Sequence, residues 1–112
     1  MITADFISQE LGKAIPYTIV FLTRGKNFVT DEIEAAKLRE KHFEHVFQLR
    51  ADGIVIMMFG TREDGDLRTI EVFATADVAE VERLVKQDPG VAAGHFGYAI
   101  HKMVGIKGDT LS

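Results

Sequence analysis

The sequence predicts an α+β domain made of one four-stranded antiparallel sheet with two helices on one face. Three observations carry the prediction: two capping boxes that open helical segments, four short runs rich in β-branched and aromatic residues, and the order in which these segments alternate. IPYTIVFLT (15–23) reads as the first strand and RGKNFVT as the loop after it. A long helix is expected from about Asp31 to Ala51. Asp31 with Glu34 forms its capping box, Thr30 is the rival N-cap, and Gly53 is the stop. IVIMMFG (54–60) and LRTIEVFAT (67–75) are strands two and three, joined by TREDGD, a hairpin turn with Asp-Gly at its centre. Asp77 with Glu80 opens the second helix, which Pro89 is expected to end near Gln87, and GHFGYAIHKM (94–103) is strand four. The order β-α-β-β-α-β is the ferredoxin-like arrangement.

Composition narrows the function. A chain of 112 residues, 46% hydrophobic and 27% charged, holds one core and carries no mark of disorder. Its 17 acids against 13 bases give a net charge of −4, which argues against nucleic acid as the main partner. There is no cysteine, so disulfides and thiolate zinc sites are excluded. No apolar run reaches the roughly 18–20 residues of a membrane span, and MITADFISQELGKA lacks the layout of a signal peptide. The expected compartment is the cytoplasm. Residues 1–13 and the tail from Gly105 are the segments expected to be flexible.

The strand faces predict more than a monomer. Ile15, Tyr17, Ile19 and Phe21 share one face of strand one, while Val20 and Leu22 share the other. Strand two is apolar on both parities, with Ile54, Ile56 and Met58 opposite Val55, Met57 and Phe59. A half-solvated sheet alternates apolar with polar, so both faces should be covered here. Two helices cover one of them. A second copy of the chain is the expected cover for the other, with the N-terminal 14 residues as the alternative.

On the long helix, at about 100° per residue, Glu34, Lys37, Lys41, Glu44 and Gln48 form the solvent arc. Ile33, Ala36, Phe43, Val46 and Phe47 are expected to face the sheet. His42 falls inside the apolar arc, between Leu38 and Leu49, where an imidazole needs a hydrogen-bond partner or a cavity. His45 lies nearer the boundary. The two histidines complete no coordination pattern, and no metal is expected. On strand four, His95 and His101 share a parity and are expected to look toward the dimer interface rather than toward His42.

These features resemble the YCII-related (YciI-like) family over about residues 15–102. The resemblance rests on YTIVFL, on a histidine eleven positions before a helix-ending glycine (His42 to Gly53), and on DPGVAAG before the last strand. It implies a dimeric α+β barrel, with a YCII-like domain at 15–104 between an N-terminal extension (1–14) and a C-terminal tail (105–112). It also implies an active site built on a histidine and an aspartate, which carry over onto His42 and Asp88. One relative looks like a dehydrochlorinase acting on a chlorinated hydroxyquinol. The chain departs from the family after strand four, where HKMVG replaces a Lys-Pro-aromatic or Pro-Trp ending.

The chemistry expected of the pair is proton transfer. A histidine takes and returns a proton near neutral pH, and a carboxylate on its far nitrogen fixes the tautomer and stabilises the imidazolium. The sequence offers no cysteine, no serine in a strand-to-helix elbow and no glycine-rich phosphate loop, so neither a nucleophile nor a nucleotide cofactor is expected. The substrate is expected to be a small ring-shaped or carbonyl-containing molecule handled by a lyase- or isomerase-type reaction. Tyr17, Arg24 and Arg62, at strand ends, are candidates for binding it. Asp88 keeps a plainer reading as the residue that stops a helix before Pro89. A non-catalytic dimeric module that binds a small molecule or a partner protein is the alternative function.

Overall fold

The computed structural model describes residues 1–106. Within them the chain runs α1 (Ala4–Leu11), β1 (Ala14–Arg24), α2 (Glu32–Ala51), β2 (Val55–Gly60), β3 (Leu67–Phe73), α3 (Val78–Lys86), α4 (Pro89–Ala92) and β4 (Phe96–Ile106). The four strands form one sheet in the order β2-β3-β1-β4 with every neighbouring pair antiparallel, as the ferredoxin-like reading requires. Asp31 and Asp77 cap α2 and α3 by accepting the backbone N–H of Glu34 and Glu80. α2 ends in a Schellman turn. Gly53 sits at φ 76°, and the N–H groups of Gly53 and Ile54 return to the carbonyls of Arg50 and Leu49.

The core lies between the sheet and the helices. Val20 and Leu22 of β1, Val55 of β2 and Phe73 of β3 meet Val46 and Leu49 of α2, Val81, Leu84 and Val85 of α3, and Phe96 of β4. Full burial of side chains of this size contributes roughly 1.5–3 kcal/mol each. The other face of the sheet is apolar as well. Its strand register places Ile19 beside Val72, Phe21 beside Ile70 and Ala99, Met57 beside Val72, and Phe59 beside Ile70.

Five details differ from the sequence reading. Residues 4–11 form a helix, capped by Thr3, whose Phe6, Ile7 and Leu11 stay exposed; it buries none of its residues. A bulge between Val55 and Met57 shifts the parity of β2, so Val55 and Met58 share the helix side of the sheet and Met57 and Phe59 the other. The β2–β3 connection is a loop in which Gly65 keeps a negative φ, so Asp64-Gly65 is not the centre of a two-residue primed turn. Pro89 does more than follow a helix: it begins a short one, with Asp88 as N-cap. β4 reaches Ile106, past the expected end at 103, while the rest of the proposed tail lies outside the described residues.

The rotation of α2 also differs. Its inward seam is Ala35, Leu38, His42, His45, Val46 and Leu49, whereas Ile33, Phe43 and Phe47 are 69%, 40% and 52% exposed. Two polar anchors set this rotation. His42 bonds to Asp88, and His45 Nε2 donates to the Leu84 carbonyl at 2.9 Å. Greasier side chains therefore yield the inward face to two histidines.

Candidate active site

The site begins with the helical turn at Asp88. Its backbone is extended (φ −63°, ψ 122°), as a residue before proline prefers, and this lets the side chain fold back over the start of α4. Oδ1 accepts the N–H of Gly90 at 2.9 Å, and the other oxygen, Oδ2, lies 2.6 Å from Nδ1 of His42. Both residues are buried, each 2% exposed. The carboxylate accepts from Nδ1–H, which directs the imidazole's second nitrogen, Nε2, away from Asp88. Nε2 has no hydrogen-bond partner among the described residues. A buried imidazole nitrogen without a partner is costly to keep, which sets this one apart from a side chain held only for structure. Phe96 and Phe43 pack against the ring at centroid distances of 5.2 and 5.3 Å.

Glu71 faces the same point from the sheet. It is paired with Val20 in the β1–β3 register, on the helix side of β3, and is 3% exposed with Oε2 unpartnered. Burial pushes its carboxyl up to about 7, the positive charge of His42 opposes the rise, and the Asp88 charge adds to it. For His42 burial acts downward, but the hydrogen bond and charge of Asp88, with the charge of Glu71, outweigh it and leave the imidazole raised. Single ligating atoms of His42, Glu71 and Asp88 lie within 4.8 Å of one another, a donor set that can hold a divalent cation. The sequence reading weighed only the histidines of one helix and did not foresee this set. Nδ1 of His42 and Oδ2 of Asp88 are already engaged with each other, which leaves Nε2 and the Glu71 oxygens as the free donors.

A cavity of about 330 Å³ opens on His42. Ala35, Arg39 and Phe43 of α2 line it together with Phe28 and Val29 of the β1–α2 loop. Met58 and Gly60 of β2, Arg68 and Thr69 of β3, and His95 and Phe96 complete the wall. His95 is held firmly: its Nδ1 accepts the N–H of Val29 at 2.9 Å, and its ring stacks on Phe28 at 4.6 Å. Burial, followed by the charges of Arg39, His42 and Arg68, lowers its pKa, so the neutral ring that accepts at Nδ1 carries its proton on Nε2.

No family model matches the sequence, and no curated protein matches it. Among solved structures the chain is similar to 5-chloro-2-hydroxyhydroquinone dehydrochlorinase from Burkholderia phenoliruptrix AC1100, determined as a complex with 2,5-dihydroxybenzoquinone. The superposition has a TM-score of 0.56 at 17% identity and covers 78% of this chain and 91% of that one. The likeness is one of fold.

The structure brings His42 and Asp88 together across 46 positions of sequence. It places Tyr17, Arg24 and Arg62 elsewhere. Tyr17 borders a groove with Pro16, Met103 and Val104, and Arg62 lies on the β2–β3 loop. Arg24 pairs with Asp64 and lies over Phe28, and it is not among the residues that line the cavity. Besides His42, the polar side chains that do border the cavity belong to Arg39, Arg68, Thr69 and His95. His95 precedes β4, which begins at Phe96, so strand parity does not govern it: it turns inward, while His101, within the strand, stays on the open face beside Phe21. Glu71 carried a signal in the sequence. Its alternation with Ile70 and Val72 puts a carboxyl on the face of Phe73, which is core.

The described residues include no helix long and apolar enough to cross a membrane.

Proposed function

We propose that this chain is a YCII-related small-molecule enzyme of lyase or isomerase type, working as a homodimer, with His42 as its proton-transfer group. The observation that carries the reading is the buried His42, fastened to Asp88 through one ring nitrogen, unpartnered at the other, and among the residues that line a cavity. Such an imidazole accepts a proton at Nε2 while Asp88 steadies the cation that results. Its raised pKa suits it to hold and return that proton near neutral pH. In an elimination, the electron pair left on the substrate carbon forms the new double bond and expels the neighbouring leaving group. In an isomerisation, the pair shifts along the conjugated system and the proton returns at another atom. Glu71, behind the ring and outside the cavity lining, carries a carboxyl pushed up to about 7 and adds to the charge that stabilises the His42 cation. A neighbour of the same fold that is a dehydrochlorinase supports a small ring compound as substrate.

The decisive test screens chlorinated and hydroxylated one-ring quinols and cyclic enol lactones for turnover. It then compares the wild-type chain with His42→Ala and Asp88→Asn. Asparagine keeps the N-cap but not the charge. Loss of about 10²-fold or more in both variants is expected of an acid-base pair. If both variants turn over or bind the hit as the wild type does, the pair has no active-site role. Ligand binding without turnover, unaffected by Asp88→Asn, describes a binding module instead.

A further inference from the structure

We propose that the cavity beside His42 recognises a planar one-ring molecule bearing a negatively charged oxygen, a phenolate or ring carboxylate, through Arg39 and Arg68. This deepens the reading of the cavity as a reaction site and rests on it. The argument is one of charge and shape. The walls supply three aromatic rings, Phe28, Phe43 and Phe96, with the Met58 side chain. Rings in such walls favour a flat apolar guest, and about 330 Å³ accommodates one ring with its substituents. Two guanidinium groups interrupt this apolar lining, and no carboxylate belongs to it.

Neither arginine is in an ion pair among the described residues. By contrast, Arg24 and Arg83 have each found an acidic partner. Arg68 is fastened through Nη1 to the Gly65 carbonyl at 3.1 Å, with a longer contact to the Glu63 carbonyl. Neutral carbonyls orient the guanidinium without cancelling its charge. Arg39 stands one helical turn before His42 on α2, so it and the proton-transfer group border the same cavity. Both arginines share this wall with His95, whose pKa is lowered by burial and then by charges that include theirs. An anion bound between them lies beside His42, where charge shed onto a ring oxygen during proton removal is stabilised. A guanidinium fork meets such an oxygen with directed hydrogen bonds, which a neutral amide isostere accepts more weakly.

The experiment is a binding comparison by NMR on the full chain, using benzoate and salicylate against their neutral isosteres benzamide and salicylamide. The anions are expected to shift resonances of Arg39, Arg68, His42 and His95 and to bind about tenfold more tightly than the amides, the value of one charge-assisted hydrogen bond. The preference should fall to within about twofold in the Arg39→Gln, Arg68→Gln double variant. It should fall only partly in Arg68→Lys, which retains the charge and the hairpin. It should be reduced but not abolished in His42→Ala, which keeps both arginines, so a failure of the acid-base reading leaves this result intact. Equal binding of amides and anions overturns the proposal. So does a preference that persists in the double variant, or the absence of cavity shifts with every probe at millimolar concentration.

Discussion

Asp88 Oδ2 stands 2.6 Å from His42 Nδ1, while Oδ1 of the same carboxylate caps the one-turn helix that begins at Pro89. The two roles considered for Asp88, helix punctuation and chemistry, therefore belong to one side chain. The N-cap geometry fixes where the carboxylate sits, and the remaining oxygen fixes the imidazole. A residue before proline is kept extended by steric clash, so the carboxylate is positioned by the backbone before any ligand arrives. That is the economy of the DPG segment: local stereochemistry sets a tertiary contact.

The buried Glu71 makes stability depend on pH with a definite sign. Its carboxyl rises from 4.5 to about 7 on folding, so the folded state binds the proton more tightly than the unfolded chain. Stability from this group is full below about 4.5 and declines as pH rises toward about 7; a shift of that size corresponds to on the order of 3 kcal/mol. His42 acts in the same direction. Its raised pKa contributes stability that is present below 6.5 and lost as pH climbs through the folded value. Urea unfolding should thus give a lower free energy at pH 8 than at pH 5. Glu71→Gln should shrink that difference, even though burying an amide alters the absolute stability at both pH values. An unchanged pH 5 to pH 8 difference in the variant would show that Glu71 titrates normally.

Gly90 is a second pressure point. A Cβ built there would lie 2.7 and 2.9 Å from Cδ2 and Cε2 of Phe96 and 3.3 Å from Oδ1 of Asp88. Phe96 is in the core and packs on both His42 and His95, so its ring has little room to retreat. Alanine gains up to about 1 kcal/mol over glycine in a helix, but forcing a methyl into packed surroundings costs about 1–3 kcal/mol. Overpacking should win. Gly90→Ala is expected to be less stable by about 1–2 kcal/mol in urea unfolding and to shift the His42 ring resonances. A variant more stable than wild type, with His42 unmoved, would contradict the packing account.

What could be read in the sequence was whatever depends on local rules. The N-caps at Asp31 and Asp77, the left-handed Gly53 and the alternation of β1 are set by residues within one or two turns, and they appear where expected, although neither Glu34 nor Glu80 closes the reciprocal half of a capping box. The histidine and aspartate of the site came from a family pattern, which stores tertiary information that spacing lacks. The rest depends on contacts across the fold. Helical periodicity offered Phe43 and Phe47 to the sheet, but bonds from His42 to Asp88 and from His45 to Leu84 turned α2 past them. The bulge beside Ile56 shifts the parity of β2 by one residue, and β4 begins at Phe96, two positions later than the sequence suggests. That later start concealed His95, which lies outside the strand. Arg39 and Arg68 are ordinary surface cations in sequence and become cavity residues only when α2 closes over β3.

The open face of the sheet makes the proposed dimer testable. Phe21 lies at its centre on β1, flanked in register by Ile70 of β3 and Ala99 of β4, with His101 at 5.3 Å. Ile19, Met57, Phe59 and Val72 extend the patch around it. α1 does not cover this patch: it buries none of its own residues. A two-fold symmetric partner satisfies the face with the residues already present, apolar side chains meeting their own copies. Light scattering coupled to size exclusion should report a dimer for the full chain. Phe21→Glu places an unpaired carboxylate in that interface and should weaken association by about 100-fold or more. The helix-side core should persist in the variant, because Phe21 points away from it; far-UV circular dichroism checks this. A wild-type chain that stays monomeric at high micromolar concentration would instead assign the face to another partner, and a dimer unmoved by Phe21→Glu would place the interface elsewhere.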